Sequence, residues 1–293
     1  MPPSVHESGP TVSIIIVNWN TRELLRRCLD SIYATVPPLP FEVLVVDNAS
    51  RDGSADMVAE HFSEVVLIRS GSNLGFAAGN NLGLRRASGR YAMLLNPDTE
   101  LLPGAVREMA DFADAHPGAA VVGPKLLNPD GSLQKNGRTF TNLWREVLGL
   151  TKLYYVWARV NRKADWGRLD FDVPARVDEV SGACMLVRKS AVDEVGRLDE
   201  RFFMYYEEVD WCRRMGKAGW EVHYLPSAQV IHHWSQGARK SGLTGSRIAF
   251  CSQYLYFRKH HGPAQALALR TLSGLLLAAL HVKHAIVGPR RKR

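Results

Sequence analysis

The chain has 293 residues, 46% hydrophobic and 23% charged, which fits a globular protein with a substantial core and excludes a disordered or fibrous one. Its net charge of +8 is unevenly placed: residues 222–293 hold eleven Lys or Arg and no Asp or Glu, so the C-terminal quarter points to a negatively charged partner surface. The four cysteines (Cys28, Cys184, Cys212 and Cys251) form no CxxC pair, which argues against a zinc site or a disulfide framework and fits a reducing compartment.

The first seven residues lack a basic stretch followed by an apolar one, so no signal peptide is expected. Val12 to Val17 is apolar and β-branched and reads as a buried strand. Thr21 to Ile32 reads as a helix with Leu24, Leu25, Cys28, Leu29 and Ile32 on one face, capped by Thr21 or Asn20. Phe41 to Val46 is the next strand, ending at the polar loop that starts with Asp47. A helix follows over 55–62, a short strand over 65–69, a helix over 80–87 and a strand over 91–95 that ends at Asn96-Pro97-Asp98. Pro103 opens a helix reaching His116. Residues 121–126 and 179–188 read as strands, residues 138–175 carry no clear pattern, and helices are expected over 246–260 and 264–287. Alternating strands and helices predict right-handed βαβ units, hence a Rossmann-like α/β fold with a mostly parallel sheet flanked by helices. Ligands bind such sheets at the carboxyl ends of the strands. The loops starting at Asn18, Asp47 and Asn96 are therefore expected on one edge, lining one cleft.

Two acidic sites stand out. Asp98 ends a strand, where a carboxylate holds a metal and a phosphate; the bland alternative is an Asx turn set by Pro97. Glu207, Glu208 and Asp210 crowd within four positions. Mutual repulsion raises their affinity for protons, which suits a base working near neutrality; the alternative is a helix start that favours acids in its first turn. The pair of sites suggests group transfer from a nucleotide-activated donor.

Seven segments in order carry a resemblance: SIIIVNWN at 13–20, VVDNASRDGS at 45–54, NLGFAAGNNLG at 73–83, LLNPDT at 94–99, SGACMLVR at 181–188, FFMYYEEVDWCRR at 202–214 and VIHHWSQG at 230–237. Over residues 12–262 the chain resembles a family 2 glycosyltransferase of GT-A fold, most of all the bacterial rhamnosyltransferase-like branch. The resemblance implies an inverting, metal-dependent transfer of a sugar, L-rhamnose from dTDP-L-rhamnose or a sugar from a UDP or GDP donor. The acceptor it implies is a glycan or polyprenyl-linked saccharide of cell-envelope polysaccharide synthesis. An inactive sugar-nucleotide-binding homologue is the alternative, because Asn96 replaces the first acid of the family's Asp-x-Asp metal motif. By the same resemblance Asn18 and Asp47 hold the nucleoside, and Asp98 and His232 hold a divalent cation, Mg²⁺ or Mn²⁺. Glu208 is the base, with Glu207 its competitor. Asn73, Asn80, Asn81 and Asn96 are expected near the diphosphate or sugar. Gly182 and Ala183 are expected to let the acceptor approach the backbone, and Trp211 is either its platform or a core aromatic.

The catalytic domain is expected over residues 1–237 and a basic helical region over 238–293. Within 264–287 the stretch free of Lys and Arg runs only from Thr271 to Val282, short of the ~20 apolar residues that span a bilayer. A helix lying on an anionic membrane surface fits better, placing the protein on the inner face of the cell membrane; a core or dimer helix is the alternative. No nucleic-acid-binding motif is present, and the acidic loops argue against such a partner.

Overall fold

The structure is a computed structural model and describes residues 9–151, 169–233 and 236–287. Its parallel half contains β1 (Val12–Asn18), β2 (Phe41–Asp47), β3 (Val66–Arg69) and β4 (Tyr91–Leu95), in spatial order β3-β2-β1-β4. Ile14, Ile15 and Ile16 are all fully buried, as a central strand covered on both faces requires. Ile14 and Ile16 pack with Leu25, Cys28, Leu29 and Ile32 of α1 (Arg22–Thr35), together with α2 (Ser54–His61) and α4 (Ala105–Ala115). Ile15 faces the other layer, built from α3 (Gly75–Leu84), α6 (Lys189–Val195) and α7 (Glu207–Lys217).

Beyond β4 the sheet is mixed. It continues through β9 (Cys184–Arg188), β6 (Ala119–Leu127), β10 (Glu221–His232) and β5 (Thr99–Leu101), with β7 (Leu133–Gln134) on β6 and β8 (Ala175–Val177) on β10. β9 runs antiparallel to both β4 and β6, so the parallel arrangement expected from the sequence holds for β1 to β4 and gives way after them. β9 is also five residues shorter than expected at its start, leaving Glu179 to Ala183 as a loop.

Helix α3 starts at Gly75, five residues before the helix expected from Asn80. Three glycines at four-residue spacing disguise it. A Cβ on Gly79 would meet Val17 Cγ1 at 2.8 Å and one on Gly83 would meet Ile15 Cγ2 at 2.4 Å, so the helix lies directly on β1 only because both lack side chains. Part of the stretch without a clear pattern forms α5 (Leu143–Thr151); residues 152–168 lie outside the described residues.

The chain ends in α8 (Gln236–His260) and α9 (Pro263–Val287). Tyr256, Phe257, Ala266 and Leu269 form a third core cluster with Phe202, and Leu143, Tyr206 and Val209 pack against it. Packing therefore runs across the division expected after residue 237. The outer side of α9 exposes Leu267 and Leu275. No helix among the described residues is long and apolar enough to cross a membrane.

Candidate active site

Parallel pairing puts Asn18 beside Asp47 and Ile16 beside Leu95, so the three polar loops do leave the same edge of the sheet. Asn18 is fully buried. Its amide nitrogen donates to Asp47 Oδ1 at 3.1 Å and to Ser50 Oγ at 3.0 Å, and its oxygen accepts from Thr21 Oγ1 at 2.6 Å. The other Asp47 oxygen accepts the Ser50 N–H at 3.0 Å. Asn18 is thus a pin between two loops rather than a side chain reaching out to a nucleoside. Thr21 stands at the N-cap of α1 as expected, but its side chain makes no capping hydrogen bond; Asp52 of the neighbouring loop accepts the Arg22 N–H at 2.9 Å. Trp19 projects from the same edge, 52% exposed, and offers an aromatic face there.

Asp98 and His232 meet because β5, which directly follows Asp98, pairs antiparallel with the end of β10: His232 lies opposite Thr99, and the His233 N–H donates to the Asp98 carbonyl at 2.9 Å. His232 Nε2 stands 3.3 Å from Asp98 Oδ1. His232 Nδ1 lies 2.9 Å from Gln134 Oε1. The Gln134 amide nitrogen donates to Asn128 Oδ1 and to the His232 carbonyl, which fixes Oε1 as the atom facing the ring. Nδ1 is then the donor to Gln134 and Nε2 the nitrogen facing Asp98, the orientation in which a metal-ligating histidine is held by a supporting partner. No group of three or more His, Cys, Asp or Glu gathers for a metal among the described residues. Two protein ligands suit an ion that takes its other oxygens from a diphosphate.

The α3 segment serves packing. Asn80 donates to the Phe76 carbonyl at 2.9 Å. Asn81 donates to the Leu198 carbonyl and Glu200 Oε1, both at 2.9 Å, and accepts the Leu198 N–H at 3.1 Å, tying α3 to the turn before α7. Both are buried, which removes Asn81 as a sugar contact and turns the Asn80 amide inward. Asn73 accepts the Gly75 N–H at 2.9 Å and shapes the turn into the helix. The Asn96 N–H donates to the Ala183 carbonyl at 2.9 Å.

Helix α7 opens on strained backbone: Tyr205 and Tyr206 both have positive φ, 73° and 68°. Tyr206 is held there by its hydroxyl, which donates to Glu146 Oε1 at 2.9 Å. Glu207 and Glu208 follow, each with a buried carboxyl oxygen, Oε2, that finds no hydrogen-bond partner. Burial pushes Glu207 well above the usual carboxylate range, and the neighbouring Glu208 charge adds to the rise. Burial also raises Glu208, but its own N–H, Arg138, and the N–H groups of Val209 and Gly182 pull against the rise. Of the two, Glu208 is the better placed to be the anion. Asp210 is fully buried too, yet held below the ordinary range: burial raises it, and hydrogen bonds from His260, Lys259 and Arg214 outweigh that.

The expected acceptor residues are not on a surface. Trp211 is fully buried, with its indole N–H on the Gly196 carbonyl at 2.8 Å, so it is a core aromatic. Gly182 and Ala183 are buried as well; a Cβ on Gly182 would press on Phe76 at 3.2 Å. These two residues instead link the sites, because the Ala183 carbonyl accepts the Asn96 N–H and the Gly182 N–H lowers the Glu208 pKa. An open cleft of about 300 Å³ lies beside the turn into α7, lined by Arg201, Phe203, Arg247, Ile248, Cys251 and Ser252. Sequence reasoning missed Glu179, which is buried against Glu208 and Arg138, and Gln134, whose role shows only once β7 pairs with β6 and the Gln134 side chain reaches His232.

The sequence profile described as Glycosyl transferase family 2 matches residues 13–196. An N-acetylglucosaminyl-diphospho-decaprenol L-rhamnosyltransferase of Mycobacterium tuberculosis is 31% identical, over 96% of this chain and 95% of its own length. A rhamnosyltransferase of Escherichia coli is 25% identical, over 76% of this chain and 83% of its own. Among solved structures, a mannosyltransferase of Pyrobaculum calidifontis in complex with GDP-Man and Mn²⁺ matches with a TM-score of 0.59 at 16% identity, covering 96% of this chain and 76% of the other. S. aureus TarS matches with a TM-score of 0.53 at 13% identity, covering 96% and 75%. The sheet order, the helical layers and these neighbours are those of the GT-A fold, and the chain belongs to glycosyltransferase family 2.

Proposed function

We propose that this glycosyltransferase is an inverting, metal-dependent enzyme that moves L-rhamnose from dTDP-L-rhamnose to a polyprenyl-linked or glycan acceptor in cell-envelope synthesis. The observation that carries the reading is the link between its two sites: the Ala183 carbonyl holds the loop of Asn96 and Asp98, while the N–H of its neighbour Gly182 helps to hold the Glu208 pKa down. Asp98 and His232 would hold a divalent cation, Mg²⁺ or Mn²⁺, which when bound neutralises the charge gathering on the leaving diphosphate. Asp47 and Trp19 flank the nucleoside edge. Glu208 takes the proton from the attacking hydroxyl, with no covalent sugar–enzyme intermediate. Two relatives named as rhamnosyltransferases support the choice of sugar.

Acceptor binding falls to the cleft beside α7. The guanidinium groups of Arg201 and Arg247 suit a diphosphate, and Phe203 and Ile248 suit a hydrocarbon chain. The exposed Leu267 and Leu275 of α9, beside exposed Arg270, support docking on an anionic membrane surface, the inner face of the cell membrane.

The test is transfer measured with dTDP-, UDP- and GDP-sugars on anionic vesicles bearing a polyprenyl diphosphate saccharide, with Mn²⁺, Mg²⁺ or excess chelator. Turnover is expected with dTDP-L-rhamnose and metal, none in the Asp98→Ala variant, a raised acceptor KM in Arg247→Glu, and protein that sediments with the vesicles at low salt. Full activity in chelator, or a clear preference for a UDP- or GDP-sugar, would sink the corresponding part.

A further inference from the structure

Beside Glu208 lies a small, partly open cavity of about 30 Å³, lined by Gly137, Arg138, Glu179, Val180, Ser181 and Glu208. It is large enough for one water molecule. Glu179 is 8% exposed, and its Oε2, like that of Glu208, is buried without a hydrogen-bond partner. Two orphaned carboxyl oxygens around one cavity are costly, and a fold that keeps them calls for a use. The backbone of Glu179 is clamped to that of Arg138, N–H to carbonyl in both directions at 3.0 and 3.1 Å. Arg138 itself is exposed, so the cavity is bounded by the base on one side and by a solvated cation on the other.

We propose that Glu179 is the proton outlet of the active site, a positioning carboxyl that acts through Glu208 and passes the acceptor's proton on to solvent. This rests on the reading of Glu208 as base. Burial first, and the Glu208 charge second, push Glu179 up to about 8. Arg138 opposes the rise, while Asp178 and Glu146 add to it. Tyr206, Cys212 and Tyr256 also sense the Glu179 charge, but each is itself raised and stays neutral. The cycle starts from a protonated Glu179 beside Glu208 in its carboxylate form, the form a base requires.

The proton count closes. The acceptor O–H bond breaks as its oxygen bonds to the anomeric carbon, and the proton moves to the Glu208 carboxylate. Loss of the Glu208 charge removes the second of the two pushes on Glu179. Glu179 then releases its own proton to solvent, and Arg138 stabilises the carboxylate that forms. The proton on Glu208 crosses the cavity to Glu179, which restores the starting state. One proton has entered from the acceptor, one has left to water, and no electrons have changed hands.

The experiment compares Glu179→Gln with the wild type and with Glu208→Gln, using full-length protein and the preferred donor. The glutamine keeps shape and neutrality but cannot release a proton. Donor and acceptor KM should stay within about twofold while kcat falls about tenfold, less than the about 10²–10⁴ of a general base itself. The wild-type pH profile of kcat should carry an inflection from Glu179 that the variant lacks. A Glu179→Gln enzyme with wild-type kcat and the same inflection overturns the outlet. If that variant fails to fold, Glu179→Asp takes its place and must retain an inflection; a folded, active aspartate variant without one overturns it equally. An active Glu208→Gln enzyme sinks the base assignment instead, so the two failures are distinguishable.

Discussion

The loops at the ends of β1 and β2 and the turn that opens α7 both bury polar side chains, but they treat them in opposite ways. In the first region Asn18, Asp47, Ser50 and Thr21 satisfy one another through four hydrogen bonds. In the second, Glu179, Glu207 and Glu208 each keep a buried oxygen with no partner. A complete network fixes geometry, whereas an incomplete one leaves a group whose protonation responds to what arrives. The first region therefore sets where a donor lies, and the second is kept ready for proton chemistry.

The largest expected effect is catalytic. Glu208→Gln should leave donor binding nearly intact and lower turnover by about 10²–10⁴, with Glu207→Gln doing less. Isothermal titration with donor and steady-state kinetics separate the two effects. A reversed ranking moves the base to Glu207, and two active variants make the acidic turn structural.

Next in size comes stability. Asn18→Ala removes a partner from buried Asp47 and half-buried Thr21 and should cost about 1–3 kcal/mol in chemical denaturation. The glutamine variants at positions 207 and 208 should show no such loss, because a neutral amide is easier to bury than a carboxylate. Equal losses in both regions would erase the contrast between them.

The third effect is a slope. The unfolded chain ionises Glu179 near 4.5, whereas the folded chain keeps the proton up to about 8. Its contribution to stability is thus fully present below 4.5 and is lost as pH rises through about 8. The loss amounts to at most about 1.4 kcal/mol per pH unit. Asp210 has the opposite sign: its carboxyl is held low, so its contribution is present above 3.8 and disappears as pH falls below that value. Denaturation series from pH 5 to pH 8 should show a falling component in the wild type that Glu179→Gln lacks; parallel curves would refute it.

The parallel half of the fold was legible because apolar runs such as VSIIIV and YAMLL end abruptly in polar loops. The Asp98–His232 pair was legible only through the resemblance, since 134 residues separate the two in the chain and the β5–β10 pairing cannot be read locally. Helix α3 was misjudged because glycine usually breaks helices, and here two of its three glycines, Gly79 and Gly83, allow close contact with β1. Asn81 and Trp211 look like ligand contacts in one dimension. Their partners, Leu198 and Gly196, lie in a turn that only the folded chain brings beside them. Glu179 gave no signal at all, because one acid before a strand is unremarkable until it is found without a partner.

The grip of α8 on α7 bears on how such enzymes can be recombined. His260 and Lys259 both reach Asp210 at 2.7 Å, Arg213 reaches the Tyr256 hydroxyl at 2.9 Å, and Gln253 reaches Glu146 at 2.6 Å. The turn carrying Glu207 and Glu208 is thus moulded from behind by the C-terminal helices. Hybrids between relatives that exchange only the tail would replace half of this mould and leave Asp210 buried among unmatched charges. The natural unit of exchange begins before Tyr205 and runs to the end of α9, and α5 must travel with it or match it.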